Sequence, residues 1–291
     1  MPGIDDYTKL CMHFSSGSDF LLDSSAGSHT ITNVTAVTSD SGGKFGDCGY
    51  FNNNYLTTPY STDFDFGTGD FTIDFYIKLS SVTAHQGLMD TVNWVGTHGW
   101  VIVYDGSISL SHGIVFAYKN ISGTWATIVE QGNLSGYVWN TWYHIAIVRT
   151  GNTFKIFRDG IQLASSTYTG TIDSGASSQL LNIGYHKWSS NVYKYLGSMD
   201  ELRISKGIAR WTSNFTPPTS AYAYDYFLNG NVSQDSRILV INESNWTLES
   251  NTLKSAGDYT LALPSGGQKT VVAITEDGEG LAYSGVVVEQ S

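Results

Sequence analysis

Two kinds of residue in this 291-residue chain have types and spacing that suggest chemistry: buried-looking carboxylates and tryptophans at strand ends. In GSMDELRISKGIARWTSNFTPP (197–218), strand alternation puts Asp200 on the same face as Leu202 and Ile204. A carboxylate turned toward a core is costly unless a cation or hydrogen-bond donors meet it. Ca2+ is one candidate, with Asp23 of the turn-rich FLLDSSAGS and nearby carbonyls completing an oxygen shell. Backbone N–H donors, or pairing with Arg203, are the alternative.

Trp94, Trp100, Trp125 and Trp188 lie at strand ends or loops, with Asn93, His98 and Asn191 close in sequence. Exposed aromatic faces beside amides and carboxylates suit sugars, so these four are the candidate glycan-binding residues. Ordinary core or edge packing is the competing reading for each. Trp139 and Trp142 lead into the apolar WYHIAIV and are expected to be structural.

Catalytic patterns are not found. The Glu-x-Asp-x-x-Glu run of jelly-roll glucanases does not occur, and Asp200 and Glu201 are adjacent rather than alternate. Nor does the chain hold a Gly-x-Ser-x-Gly elbow, a His-Glu-x-x-His pair or a phosphate-cradling glycine loop. A non-enzymatic role is expected. The two cysteines, Cys11 and Cys48, read as buried free thiols rather than a disulfide framework.

The elements that must position these residues are strands. FTIDFYIKL alternates Phe71, Ile73, Phe75, Ile77 and Leu79 against Thr72, Asp74, Tyr76 and Lys78, the pattern of a half-buried antiparallel strand. WVIVYDG, GIVFAYKN, TWATIVEQ, WYHIAIVRTG, NTFKIFRDG and LLNIGY follow, with Asp159-Gly160 and Gly151-Asn152 as hairpin turns. The fold class is all-β, a sandwich or jelly roll over residues 1–222, with a short helical turn near Ser205–Arg210. FTPPTSAYAYDY reads as a linker, and residues 223–291 as a second, smaller β-sandwich.

Net charge is −11, from 15 basic and 26 acidic residues, which argues against a nucleic-acid partner. No apolar run is long enough for a membrane-spanning helix, so membrane insertion is not expected. The N-terminal residues show no basic-then-apolar leader pattern.

GGKFGDCGYF, YLTTP, GTGDFTIDFYIKL, WNTWYHIAIVRTGNTFKIFRDG, LNIGY and YLGSMDELRISKGIARWTSNFTPPT occur in this order. Together they resemble the laminin-G-like (concanavalin A-like) jelly-roll domains of tailed-bacteriophage structural proteins. The resemblance implies two packed antiparallel sheets, a face or rim that binds glycans in some members, and in some a structural Ca2+ near the strand matching Asp200. GDYTLALPSGGQKTVVAITEDG is similar to small transthyretin- or carboxypeptidase-regulatory-like sandwiches, which would serve for docking or oligomerisation.

The resulting expectation is a homo-oligomeric structural protein on a virion surface, in a tail fibre, tail tip or capsid decoration. It would be assembled in the host cytoplasm, contact other virion proteins and bind host-surface polysaccharide. The alternative is a soluble lectin or carbohydrate-binding module of a cell-surface or polysaccharide-degrading system.

Overall fold

The computed structural model describes residues 3–82, 85–92, 98–106, 113–132, 136–175, 178–188 and 190–223 in full, and the backbone of six strands beyond them. Two compact units are distinguished: residues 6–221, and residues 1–5 with 222–291.

The larger unit carries β1 (Thr8–Met12), β2 (Thr32–Asn33), β3 (Thr38–Asp40), β4 (Cys48–Asn52), β5 (Leu56–Pro59) and β6 (Phe71–Leu79). It continues with β7 (His85–Asp90), β8 (Gly99–Asp105), β9 (Gly113–Lys119), β10 (Trp125–Glu130), β11 (Trp142–Thr150) and β12 (Thr153–Arg158). β13 (Ile161–Thr167), β14 (Leu180–Ile183), β15 (Tyr185–Trp188), β16 (Asn191–Lys194) and β17 (Leu196–Lys206) complete it. One sheet has eight strands in the order β13-β12-β11-β6-β17-β4-β3, with β1 also paired to β17. The other has seven, β10-β9-β8-β7-β14-β5-β2, and β15-β16 form a separate hairpin. All pairings are antiparallel, so the jelly-roll expectation holds.

The core fills the space between the sheets. Ile73, Phe75, Ile77, Ile145 and Ile147 point in from one side, and Trp100, Ile102, Tyr104 and Phe116 from the other. Phe66 stacks on Phe71 with centroids 4.1 Å apart, and Phe116 on Phe154 at 6.0 Å. At the β12–β13 turn, Asp159 and Gly160 have φ of 51° and 77°, the left-handed pair that a two-residue hairpin needs.

Two expectations about the eight-stranded sheet are corrected. First, β6 is not half-exposed: Thr72, Asp74 and Tyr76 are buried on its outer face. The run after β17 covers them like a strap. Thr72 Oγ1 donates to the Ile208 carbonyl, Tyr76 Oη donates to the Pro218 carbonyl, and Trp211 and Phe215 pack on Ala146, Val148 and Phe157. Asp74 forms a paired contact with Arg203 (Nε–Oδ1 3.0 Å, Nη2–Oδ2 3.2 Å), both fully buried.

Second, Asp200 does not share a face with Leu202 and Ile204. A β-bulge lies between Asp200 and Arg203, where Glu201 takes a φ of 49°. The extra residue reverses alternation, so Met199, Leu202 and Ile204 enter the core while Asp200 pairs across from Tyr76 on the outer face. No helical turn occurs at 205–210; β17 runs through Lys206, and the only helical turns among the described residues are 3-10 turns at Gly17–Leu21 and Thr62–Phe64.

The smaller unit contains β18 (Tyr226–Val232), β19 (Ser236–Asn242), β20 (Thr247–Lys254), β21 (Gly257–Leu263), β22 (Lys269–Thr275) and β23 (Leu281–Tyr283). β18 pairs with β21, and β20-β19-β22-β23 form a four-stranded sheet.

Candidate functional site

The seven-stranded sheet is apolar on its outer face as well as its inner one. Alternation sends Trp100, Ile102 and Tyr104 of β8 inward and Val101, Val103 and Asp105 outward. In register beside them on β9 stand Ala117 opposite Val101 and Val115 opposite Val103. Such a surface needs a cover or a ligand.

The β15–β16 hairpin folds over one side of this surface. His186 and Trp188 alternate onto one face of β15, and their cross-strand partners Tyr193 and Asn191 bring the same face of β16 with them. Gly87 of β7 permits the close approach: a Cβ there would lie 2.2 Å from the His186 backbone nitrogen. Between hairpin and sheet is a cleft of about 460 Å³, lined by the valines, Ala117, Thr127, Trp125, Trp188, His186, Tyr193, His85, Asn191, Asp105 and Glu130. That volume is within the range of small-molecule sites.

Trp188 and Trp125 stack at this cleft, ring centroids 5.3 Å apart and planes 7° from parallel, and Trp188 remains 48% exposed. His186 lies edge-on to both rings and is almost wholly buried. Its Nδ1 contacts Asp90 Oδ2 at 2.9 Å. Asp90 also accepts from the backbone N–H groups of Val92 and Lys187, which fixes its orientation. Burial pushes the Asp90 carboxyl up, and the His186 contact pulls it back. Because that contact engages Nδ1, Nε2 is the ring nitrogen left for a further hydrogen bond. Nε2 is buried and has no hydrogen-bond partner among the described residues. His85 Nδ1 meets Asp105 Oδ1 at 3.4 Å on the same floor.

The sequence candidates are divided by this geometry. Trp125 and Trp188 come together at the cleft. Trp100 does not belong to it: the ring is fully buried between the sheets and its Nε1 donates to the Phe64 carbonyl at 3.0 Å. Inward alternation on β8 places it there. Trp94 and Asn93 lie outside the described residues. Trp139, expected to be structural, is instead 67% exposed.

Asp200 and Asp23 are held by separate donor sets. Asp200 accepts from the backbone N–H groups of Lys44, Phe45 and Glu201 at 2.7–3.1 Å. Burial pushes its carboxyl up to about 7 against the pull of those donors. Asp23 accepts from the N–H groups of Cys11, Ser25 and His29 and from the Ser25 hydroxyl. Calcium needs oxygens where these carboxylates meet N–H donors, so the surroundings do not fit the ion. Among the described residues no group of three or more His, Cys, Asp or Glu is arranged to hold a metal. Cys11 and Cys48 are buried free thiols.

His186, Tyr193, His85, Asp105 and Glu130 were not anticipated from the sequence. A usable signal was present in YHKWSSNVYK, where His186/Trp188 and Asn191/Tyr193 are spaced symmetrically about the central Ser-Ser pair of the sequence.

Two stacked antiparallel sheets with this strand order define a concanavalin A-like β-sandwich. The chain belongs to the concanavalin A-like lectin/glucanases superfamily, whose Laminin_G_3 family model matches residues 51–213. No curated protein sequence matches the chain. Among solved structures it is similar to domain 4 of an extracellular arabinanase from Geobacillus stearothermophilus, in complex with arabinotriose (TM-score 0.52, 17% identity, covering 69% of this chain and 93% of that one). It is also similar to the binding domain of Paraclostridial Mosquitocidal Protein 1 (TM-score 0.53, 14% identity, 96% and 73%). A third is the botulinum neurotoxin serotype D ligand binding domain, in complex with N-acetylneuraminic acid (TM-score 0.50, 10% identity, 94% and 72%). At these identities the likeness is one of fold.

Proposed function

We propose that the larger domain binds saccharide in the cleft between the β15–β16 hairpin and the outer face of the seven-stranded sheet. The observation that carries this reading is the Trp125–Trp188 stack beside the buried, unpartnered Nε2 of His186. A sugar ring offers an apolar C–H face to aromatic and valine surface and hydroxyl donors to a polar floor. Carbohydrate-binding domains among the structural neighbours support it. The protein acts as a binding module and not as an enzyme, in keeping with the lack of a recognised catalytic motif in its sequence.

The setting that the sequence resemblance favours is the surface of a tailed-phage particle, in a tail fibre, tail tip or capsid decoration. There many weak sites act together, because linked copies raise effective concentration. A soluble lectin or carbohydrate-binding module is the second reading, favoured by the likeness to a domain of an extracellular arabinanase.

The test is a glycan array probed with the full chain and with Trp188→Ala. Binding by the wild type that the variant loses supports the reading; an array with no bound glycan overturns it. Cleavage of a bound polysaccharide would overturn the non-enzymatic part. Locating the protein in an imaged particle separates the two settings.

A further inference from the structure

Apart from its two histidines, the charged side chains that line the cleft are of one sign. Asp105 and Glu130 line it, and Asp90 lies behind His186. No lysine or arginine lines it among the described residues. The segments of this domain outside the described set, 83–84, 93–97, 107–112, 133–135, 176–177 and 189, contain none in their sequence. Lys187 and Lys194 alternate onto the opposite face of the hairpin, where Lys194 Nζ lies 5.6 Å from the Tyr55 ring centroid. Lys119, the cross-strand neighbour of Trp125, is buried and engaged in the fold.

A carboxylated or sulfated sugar in this cleft would meet the Asp105 and Glu130 carboxylates with no lysine or arginine lining it to offset them. A neutral sugar meets the reverse situation. Its hydroxyls can donate to the carboxylates of Asp105 and Glu130 and hydrogen-bond His186 Nε2, Asn191 and Tyr193 in either sense. His186 Nε2, unpartnered among the described residues, is the position where a ligand hydroxyl is most needed, since a buried polar group left unpaired is costly.

We propose that the cleft selects uncharged saccharides, with a ligand hydroxyl hydrogen-bonded to His186 Nε2 and with Asp105 and Glu130 excluding acidic sugars. This rests on the saccharide reading above and narrows it to one ligand class.

The experiment is titration calorimetry of the full chain with paired probes: lactose and sialyllactose, galactotriose and trigalacturonate, cellotetraose and its C6-oxidised counterpart. The neutral member of a pair is expected to bind at least about tenfold more tightly, a difference that added salt reduces. The double variant Asp105→Asn/Glu130→Gln, verified as folded by its melting curve, is expected to narrow the ratio. If that variant does not fold, the wild-type ratio and its salt dependence decide. An acidic member that binds as tightly as its neutral partner overturns the selection while leaving saccharide binding intact. Binding of neither member in any pair overturns both.

Discussion

Trp188 lies nearly parallel to Trp125 with centroids 5.3 Å apart, although the two residues come from a hairpin and from an edge strand of the sheet beneath it. The stack closes one wall of the cleft and leaves Trp188 half in solvent. Removing an aromatic anchor at a binding site typically costs about 2 kcal/mol or more. Trp188→Ala should therefore weaken saccharide binding by about thirtyfold while leaving melting temperature almost unchanged. Trp139→Ala, at an exposed tryptophan that does not line the cleft, should leave the dissociation constant as it was.

Gly87 permits the hairpin to sit where it does. Any side chain there would meet the His186 backbone nitrogen and Cβ, neither of which yields easily. Gly87→Ala is expected to lift the hairpin and separate Trp188 from Trp125. Overpacking of this kind costs about 1–3 kcal/mol, readable as a lower urea midpoint together with lost binding. A variant that binds like the wild type would show that the hairpin's close approach is not needed.

Much of the fold was legible from strand alternation and Asp-Gly turns, because those signals are local. The misreadings of β6 and Asp200 came from tertiary cover and register. FTIDFYIKL reads as half-exposed since nothing local says that Trp211 and Phe215 return across the sheet. Asp200 reads as core-facing since a bulge at Glu201 leaves no trace in a period-two pattern. Trp125 and Trp188 were visible as candidates, but 63 positions separate them and only the hairpin's fold-over unites them. His186 gave no sign of its role because the carboxylate that orients it, Asp90, is 96 residues away.

Beneath the strap, Asp74 is fully buried. Burial pushes its carboxyl up, but Arg203, with His144 adding to it, prevails and holds it at about 2. A carboxyl lowered from an unfolded value of about 4 contributes stability that is present above pH ~4 and is lost as pH falls through about 2. Asp74→Asn leaves the Arg203 guanidinium buried without its counter-charge, a loss of about 3–5 kcal/mol. Urea denaturation at neutral pH measures it; a loss under ~1 kcal/mol would contradict the pairing as described.

Asp200 works in the opposite direction. Burial, opposed by its backbone donors, lifts its carboxyl to about 7, so the folded state holds that proton more tightly than the unfolded chain does. Its contribution to stability is fully present below pH ~4 and is lost as pH rises through about 7. Asp200→Asn should flatten the stability profile of the protein between pH ~4 and 7 relative to wild type. Parallel profiles for the two proteins would rule out Asp200 as the source of that slope.

The most direct measurement is a nuclear magnetic resonance titration of the full chain with a saccharide identified on the array, following the indole N–H signals. A saccharide bound in the cleft is expected to shift Trp125 and Trp188 together with the backbone of the β15–β16 hairpin, while Trp100, sealed between the sheets, stays fixed. Saturable binding that leaves Trp125, Trp188 and the hairpin unmoved would contradict binding in the cleft.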